Sequence, residues 1–176
     1  LQNKLAVDVP PNSIRWVQSD GIHLTLKFLG DTPADKLPEI KRALAAVAQH
    51  APTGVYAVQE LGCFPRPSRP RVLWVGVHEP SGLLETLQAA IDEAMGRLGY
   101  EPEGRKFHPH LTLGRVNRRT DRRDLKRISD ALSSATLGVL GEAPLERFEL
   151  IQSVLKPSGA EYSTLETFPL RGDEES

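Results

Sequence analysis

Three features are scarce in this chain, and each scarcity excludes a class of protein. Cys63 is the only cysteine among 176 residues, so an intramolecular disulfide and a metal site built from several thiolates are both excluded. No apolar run approaches the roughly 18 residues of a membrane-spanning helix, and no signal-peptide pattern opens the chain. The formal net charge is only −1, so any phosphate site must be local rather than a property of the whole surface.

The composition that remains is that of an ordinary globular protein. Hydrophobic residues make up 39% of the chain and charged residues 26%, which is sufficient for a buried core at this length. We interpret Cys63 as a small buried hydrophobic residue rather than as a nucleophile. We expect a cytoplasmic monomer that has no membrane partner.

Hydrophobic periodicity predicts both strands and helices along the chain. Strands are expected where apolar residues alternate, namely at 14–18, 22–29, 56–61, 71–78, 110–116, 145–155 and 162–170. Helices are expected at 1–6 (the end of one), 32–47, 81–98 and 121–137, and an acidic tail at 172–176 is expected to fray. Several strands follow one another without an intervening helix. This order predicts an α+β fold with antiparallel sheets.

The tetrapeptide His-Leu-Thr-Leu occurs twice, at residues 23–26 and 110–113. The two copies lie about half the chain apart, and each falls in an expected strand. Repetition at this spacing predicts two similar lobes, each of which offers one strand to a shared cleft.

The repeated motif carries the side chains that phosphoryl transfer needs. Alternation along a strand places His23 and Thr25 on one face, and likewise His110 and Thr112, while the leucines point to the core. An in-line displacement at phosphorus needs a base on the attacking oxygen and an acid on the leaving oxygen. An imidazole, with a reference pKa of about 6.5, can do either at neutral pH. The hydroxyls can donate to the non-bridging phosphate oxygens, so no metal is required.

Two other interpretations compete with this one. A single His-x-Thr would indicate a structural histidine, but two identical copies favour a function. His108 and His110, with His23 as a third ligand, could instead form a zinc site, although threonine suits phosphate better and no carboxylates cluster nearby. A module that binds RNA or nucleotide ends without turnover is the other alternative, but such a module has no need of two titrating imidazoles.

The residues around both motifs resemble the two-histidine phosphoesterase superfamily. The likeness is strongest to its RNA 2′,3′-cyclic phosphodiesterase branch, also called 2′-5′ RNA ligase. The matching segments cover nearly the whole chain in order: IRWV (14–17), HLTLKFLG (23–30), LGCFPRPSRPRVLWVGV (61–77), FHPHLTLGRV (107–116) and SVLKPSGAEYSTLETFPL (153–170).

The resemblance implies a fold, an activity and a site. The fold would be bilobal, with two antiparallel sheets around a central cleft, helices on the outer faces and one two-lobed domain over residues 1–176. The activity would be hydrolysis of 2′,3′-cyclic phosphates on RNA ends or nucleotides to 2′-phosphates, without a cofactor, together with ATP-independent 2′-5′ ligation. The catalytic set would be His23, Thr25, His110 and Thr112. We assign His110 as the base on water and His23 as the acid to O3′, although the residues also allow the reverse.

The resemblance also implies substrate contacts outside the two motifs. Arg115 would lie near the phosphate, but strict alternation puts it on the opposite face from His110, so a bulge would be needed to bring it round. Phe64 could stack on a base or pack in the core, and Arg66 could reach an RNA phosphate. The family begins with a strand and a helix, of which only a helix end remains here. A segment of about 20 residues is therefore expected upstream.

Overall fold

The computed structural model describes residues 1–156 and 159–171 and contains four helices and seven strands within them. The helices are α1 (Gln2–Asp8), α2 (Leu37–Ala48), α3 (Leu83–Arg97) and α4 (Arg122–Ser134). The strands are β1 (Ile14–Trp16), β2 (Gly54–Phe64), β3 (Val72–His78), β4 (His110–Val116), β5 (Gly141–Leu145), β6 (Arg147–Lys156) and β7 (Gly159–Pro169). The acidic tail predicted at 172–176 lies outside the described residues.

The strands form two sheets. One has five strands in the order β1-β4-β3-β2-β5, and the other is the β6-β7 hairpin. β1 pairs antiparallel with β4, as do β4 with β3, β3 with β2, and β6 with β7. The predicted α+β class with antiparallel sheets is therefore confirmed. No helix in the described part of the chain is long and apolar enough to cross a membrane.

The strand predicted at 22–29 is wrong. Leu24 makes a single antiparallel bridge to Leu111, and the segment forms no ladder. β4 begins at His110, so the residues beyond Thr25 have no further β4 backbone to pair with. Phe28, within this segment, is 78% exposed.

The chain divides into two compact units, each assembled from three segments. The first unit contains Leu1–Thr25, Ala57–His78 and Pro109–Glu142, and the second contains Leu26–Tyr56, Glu79–His108 and Ala143–Ser176. His23, Thr25 and the whole second copy of the tetrapeptide belong to the first unit. The expectation of one motif per lobe is therefore wrong, because the chain passes between the units several times.

The first unit has its core on one face of the five-stranded sheet. The two helices of this unit, α1 and α4, contribute the leucine and isoleucine side chains that cover this face. One buried cluster contains Val9, Ile14, Cys63, Leu73, Val116, Ile128 and Leu132, and a second contains Leu5, Val75 and Leu113. Burial raises the pKa of the Cys63 thiol, which agrees with its interpretation as a small buried residue.

The second unit packs α2 against α3 and against β7. These helices bury one stripe each, with Ile40, Leu44 and Ala48 from α2 and Leu84, Leu87, Ile91 and Met95 from α3. An ion pair lies in the same unit: the Lys27 ammonium donates to Asp92 at 2.5 Å and to the carbonyl of Glu101 at 2.8 Å. The Lys27 side chain is only 4% exposed, so its charge depends on these two partners.

Candidate active site

The two His-x-Thr motifs lie side by side in the first unit. The bridge between Leu24 and Leu111 is antiparallel, so the two leucines share one face of the sheet. Alternation about this bridge predicts that His23 lies opposite Thr112, and Thr25 opposite His110, on the other face. Diagonal positions on neighbouring antiparallel strands are about 7–8 Å apart. The bridge therefore predicts two imidazoles on either side of a space that fits a phosphate group.

A backbone contact determines which nitrogen of His23 can react. Its Nδ1 lies 2.9 Å from the carbonyl oxygen of Gly21. A carbonyl can only accept, so Nδ1 carries a hydrogen in this contact. Nε2 is then the nitrogen that exchanges a proton with a ligand, whether His23 acts as the acid or as the base.

Two aromatic rings surround the imidazole of His110. The Phe64 ring meets it edge to face, with centroids 5.0 Å apart and an angle of 84° between the planes. The Trp74 ring lies 6.1 Å from it and 5.3 Å from Phe64. Trp74 pairs across the strands with Thr112, so it belongs to the face that carries both histidines. These contacts restrict the orientation of the imidazole.

Gly62 makes room for this arrangement. It pairs with Trp74 across β2 and β3, and a Cβ added at Gly62 would lie 2.3 Å from Cη2 and Cζ2 of the indole. The indole therefore rests directly on the Gly62 backbone. Trp74 is buried at 6% exposure, and its ring packs beside His110. A tryptophan and a glycine paired across neighbouring strands are the signal that sequence reasoning missed.

Gly62→Ala should lower kcat for a cyclic phosphate substrate by about 10- to 100-fold, because displacement of Trp74 also displaces His110. KM should change much less. Gly138→Ala is the matched control, since a Cβ there meets nothing within 4 Å. A kcat equal to that of the parent in folded Gly62→Ala would show that the indole does not position His110.

Arg115 lies on the His110 face because β4 contains a bulge. Trp74 pairs with Thr112 and Leu73 with Gly114, so Leu113 is the extra residue. Arg115 pairs with Val72, which is two positions from Trp74 and so on its face. Alternation alone predicts the wrong face, and the bulge that this prediction needed is present.

The other proposed substrate contacts lie in or beside the loop that follows β2. Phe64 is half-buried against Trp74 and His110, so it packs on the site rather than in the core behind the sheet. Arg66 is exposed and accepts a hydrogen bond from the amide of Arg69 at 3.0 Å through its carbonyl. Its guanidinium makes no described ion pair.

The geometry does not favour the zinc alternative. Within residues 1–156 and 159–171, no three His, Cys, Asp or Glu side chains are grouped in a way that could hold a metal ion. His108, the ligand that this alternative needs besides His23 and His110, is exposed in the second unit. Each motif combines its histidine with a threonine, whose hydroxyl suits phosphate oxygens better than zinc.

A sequence profile of the 2′-5′ RNA ligase superfamily matches residues 16–152. The chain belongs to this superfamily. The family predicted from the two tetrapeptides and their flanking residues is thus confirmed. The match includes both histidine motifs, β2, β3 and β4, which are the elements that build the site.

Named relatives of the superfamily share close to a third of their residues with the chain. The RNA 2′,3′-cyclic phosphodiesterase of Aeropyrum pernix is 32% identical over 152 residues, which cover 86% of this chain and 84% of that protein. The enzyme of the same name from Archaeoglobus fulgidus is 32% identical over 157 residues, which cover 89% and 84%. Both alignments extend over most of either protein, so the likeness is not confined to the motifs.

Solved structures show the same fold. The protein TT0787 of Thermus thermophilus superposes with a TM-score of 0.78 at 26% identity, covering 98% of this chain and 91% of that one. Escherichia coli LigT complexed with 3′-AMP superposes with a TM-score of 0.72 at 26% identity, covering 96% and 87%. The second of these structures holds a nucleotide.

Proposed function

We propose that this superfamily member is an RNA 2′,3′-cyclic phosphodiesterase, which opens terminal cyclic phosphates to 2′-phosphates. The observation that carries the proposal is the antiparallel Leu24–Leu111 bridge, which sets the two His-x-Thr motifs beside each other. The names of the relatives at about 32% identity support the same substrate class. The nucleotide complex of a structural neighbour agrees with a nucleotide-sized ligand.

In the proposed reaction, water attacks phosphorus and the bond from phosphorus to O3′ breaks. His110 takes the proton from water, and His23 gives a proton to O3′, so the products are a 2′-phosphate and a free 3′-hydroxyl. The hydroxyls of Thr25 and Thr112 donate to the non-bridging oxygens, on which charge accumulates in the transition state. Arg115, on the same face, adds a fixed positive charge.

The contacts outside the motifs would hold the rest of the RNA. Phe64, beside His110, offers a ring face or edge to the terminal base, and Arg66 offers an exposed guanidinium to a phosphate. If the 5′-hydroxyl of a second RNA replaces water, the same acid and base produce a 2′-5′ linkage without ATP. The description of the superfamily supports this second reaction.

We also propose that the protein works in the cytoplasm, as a monomer and as one two-lobed domain. A single buried cysteine suits a reducing compartment. Light scattering of the purified protein measures the mass in solution. A dimer mass would contradict the proposed monomer.

A 2′,3′-cyclic mononucleotide incubated with the protein in excess EDTA should be hydrolysed at the same rate as without EDTA, because no step needs a metal. The product, identified by phosphorus NMR, should carry its phosphate on O2′. Activity that EDTA removes and zinc restores would instead support a zinc hydrolase. Binding without any product, measured by calorimetry, would support a non-catalytic module.

A further inference from the structure

Two arginines stand directly opposite each other on the face that carries the histidines. Arg15 in β1 pairs with Arg115 in β4. Ile14 and Trp16, on either side of Arg15, pack into the core behind the sheet, so Arg15 projects from the other face. Both arginines are exposed. Their β-carbons are therefore about 5 Å apart on the His110 face.

This pairing is unfavourable in the protein alone. Arginine is always protonated, and like charges directly opposite on neighbouring strands repel. Neither guanidinium makes an ion pair with any residue in the described part of the chain. Val72 and Phe64, which continue the same row across β3 and β2, carry no charge. An anionic ligand would offset this repulsion, since a guanidinium pair can hold phosphate oxygens in a fork of hydrogen bonds.

The pair is displaced from the space between the histidines by roughly one nucleotide. Arg115 follows Thr112 by three residues along β4, which is about 7–10 Å with the bulge included. A ribose with a 2′,3′-cyclic phosphate carries its 5′ phosphate at the opposite end of the sugar. A second anion site one sugar away from the first therefore matches the next phosphate of a chain, and a mononucleotide cyclic phosphate has no group to place there.

We propose that Arg15, together with Arg115, binds the phosphodiester immediately 5′ of the nucleotide that carries the cyclic phosphate. This inference rests on the proposed function and extends it, because it makes the enzyme prefer RNA ends to mononucleotides. Arg15, on the edge strand, contacts only this phosphodiester, whereas Arg115 contacts both it and the cyclic phosphate.

The test compares two substrates, a 2′,3′-cyclic mononucleotide and a dinucleotide that ends in the same cyclic nucleotide. In Arg15→Gln, the ratio of kcat/KM for the dinucleotide to that for the mononucleotide should fall about tenfold, mainly through KM of the dinucleotide. The dependence of log kcat/KM on log salt for the dinucleotide should become shallower by about 0.7, the value for one single-strand phosphate contact. Arg15→Lys, which keeps the charge, should restore most of the salt dependence.

Arg123→Gln is the matched control. Arg123 is an exposed arginine on α4, whose Ile128 and Leu132 pack on the face of the sheet opposite His110, so its substitution should leave the ratio unchanged. An unchanged ratio in Arg15→Gln, or an equal fall with Arg123→Gln, would overturn the inference and leave the proposed function intact. Failure of the unmodified protein to hydrolyse either substrate would overturn both.

Discussion

His110→Ala and His23→Ala should each lower kcat/KM for a 2′,3′-cyclic phosphate by about 10²- to 10⁴-fold, the usual contribution of one acid or base. The Leu24–Leu111 bridge sets the two motifs beside each other, and alternation predicts that each histidine lies opposite the other motif's threonine. Loss of either leaves one proton transfer without a partner. The double variant should be little worse than either single variant, because the two groups act in the same step.

His50→Ala is the control for these variants. His50 is exposed, and its Nδ1 contacts only the Ala46 carbonyl at 2.9 Å among its described partners, so its loss should not change the rate. The parent should show a bell-shaped dependence of kcat/KM on pH, and each histidine variant should lose one limb of the bell. The paired-histidine mechanism would be contradicted by a flat profile from about pH 5 to 9 in the parent. A rate close to the parent's in either variant would contradict it as well.

The candidate catalytic residues could be proposed from the sequence because their signal is local and repeated. Two copies of one tetrapeptide, each with period-two alternation, single out the histidines and threonines as candidates without any knowledge of their packing. β4 begins and ends where alternation predicts. The aromatic neighbours of His110 could not be predicted in this way, because Phe64 and Trp74 lie on other strands. The pattern within one strand does not determine its register with the next strand.

Bulges account for most of what the sequence could not show. One extra residue at Leu113 moves Arg115 to the face that carries His110, and this reverses the prediction from alternation. A second irregularity in β2 lies at Glu60, which has a φ of 65°. Because a glutamate rarely adopts that left-handed conformation, the residue type at position 60 does not predict the bulge. Register shifts depend on how two strands fit together, and this is a tertiary property.

Asp92→Asn should lower the free energy of unfolding by about 3–5 kcal/mol, because it leaves the Lys27 ammonium buried without its counterion. The Lys27 and Asp92 side chains are 4% and 19% exposed. Urea denaturation followed by circular dichroism measures the loss. Glu93→Gln on the same helix is the matched control, since its pair with Arg97 is 69% and 75% exposed. Glu93→Gln should lower the free energy of unfolding by only about 0.3–0.5 kcal/mol.

The pH dependence of the same variant gives a second test. The hydrogen bond from the Lys27 ammonium, with help from the Glu103 amide, outweighs burial and holds the pKa of Asp92 below its ordinary value. A carboxyl of this kind stabilises the fold at pH values above its unfolded pKa, and its contribution is lost as the pH falls through the lower folded pKa. The difference in free energy of unfolding between the parent and Asp92→Asn should therefore be largest near neutral pH and should decrease below about pH 4. Lys27→Met combined with Asp92→Asn should recover much of the loss, because no unpaired charge then remains buried. A loss in Asp92→Asn no larger than that in Glu93→Gln would mean that Lys27 reaches water when its partner is neutral.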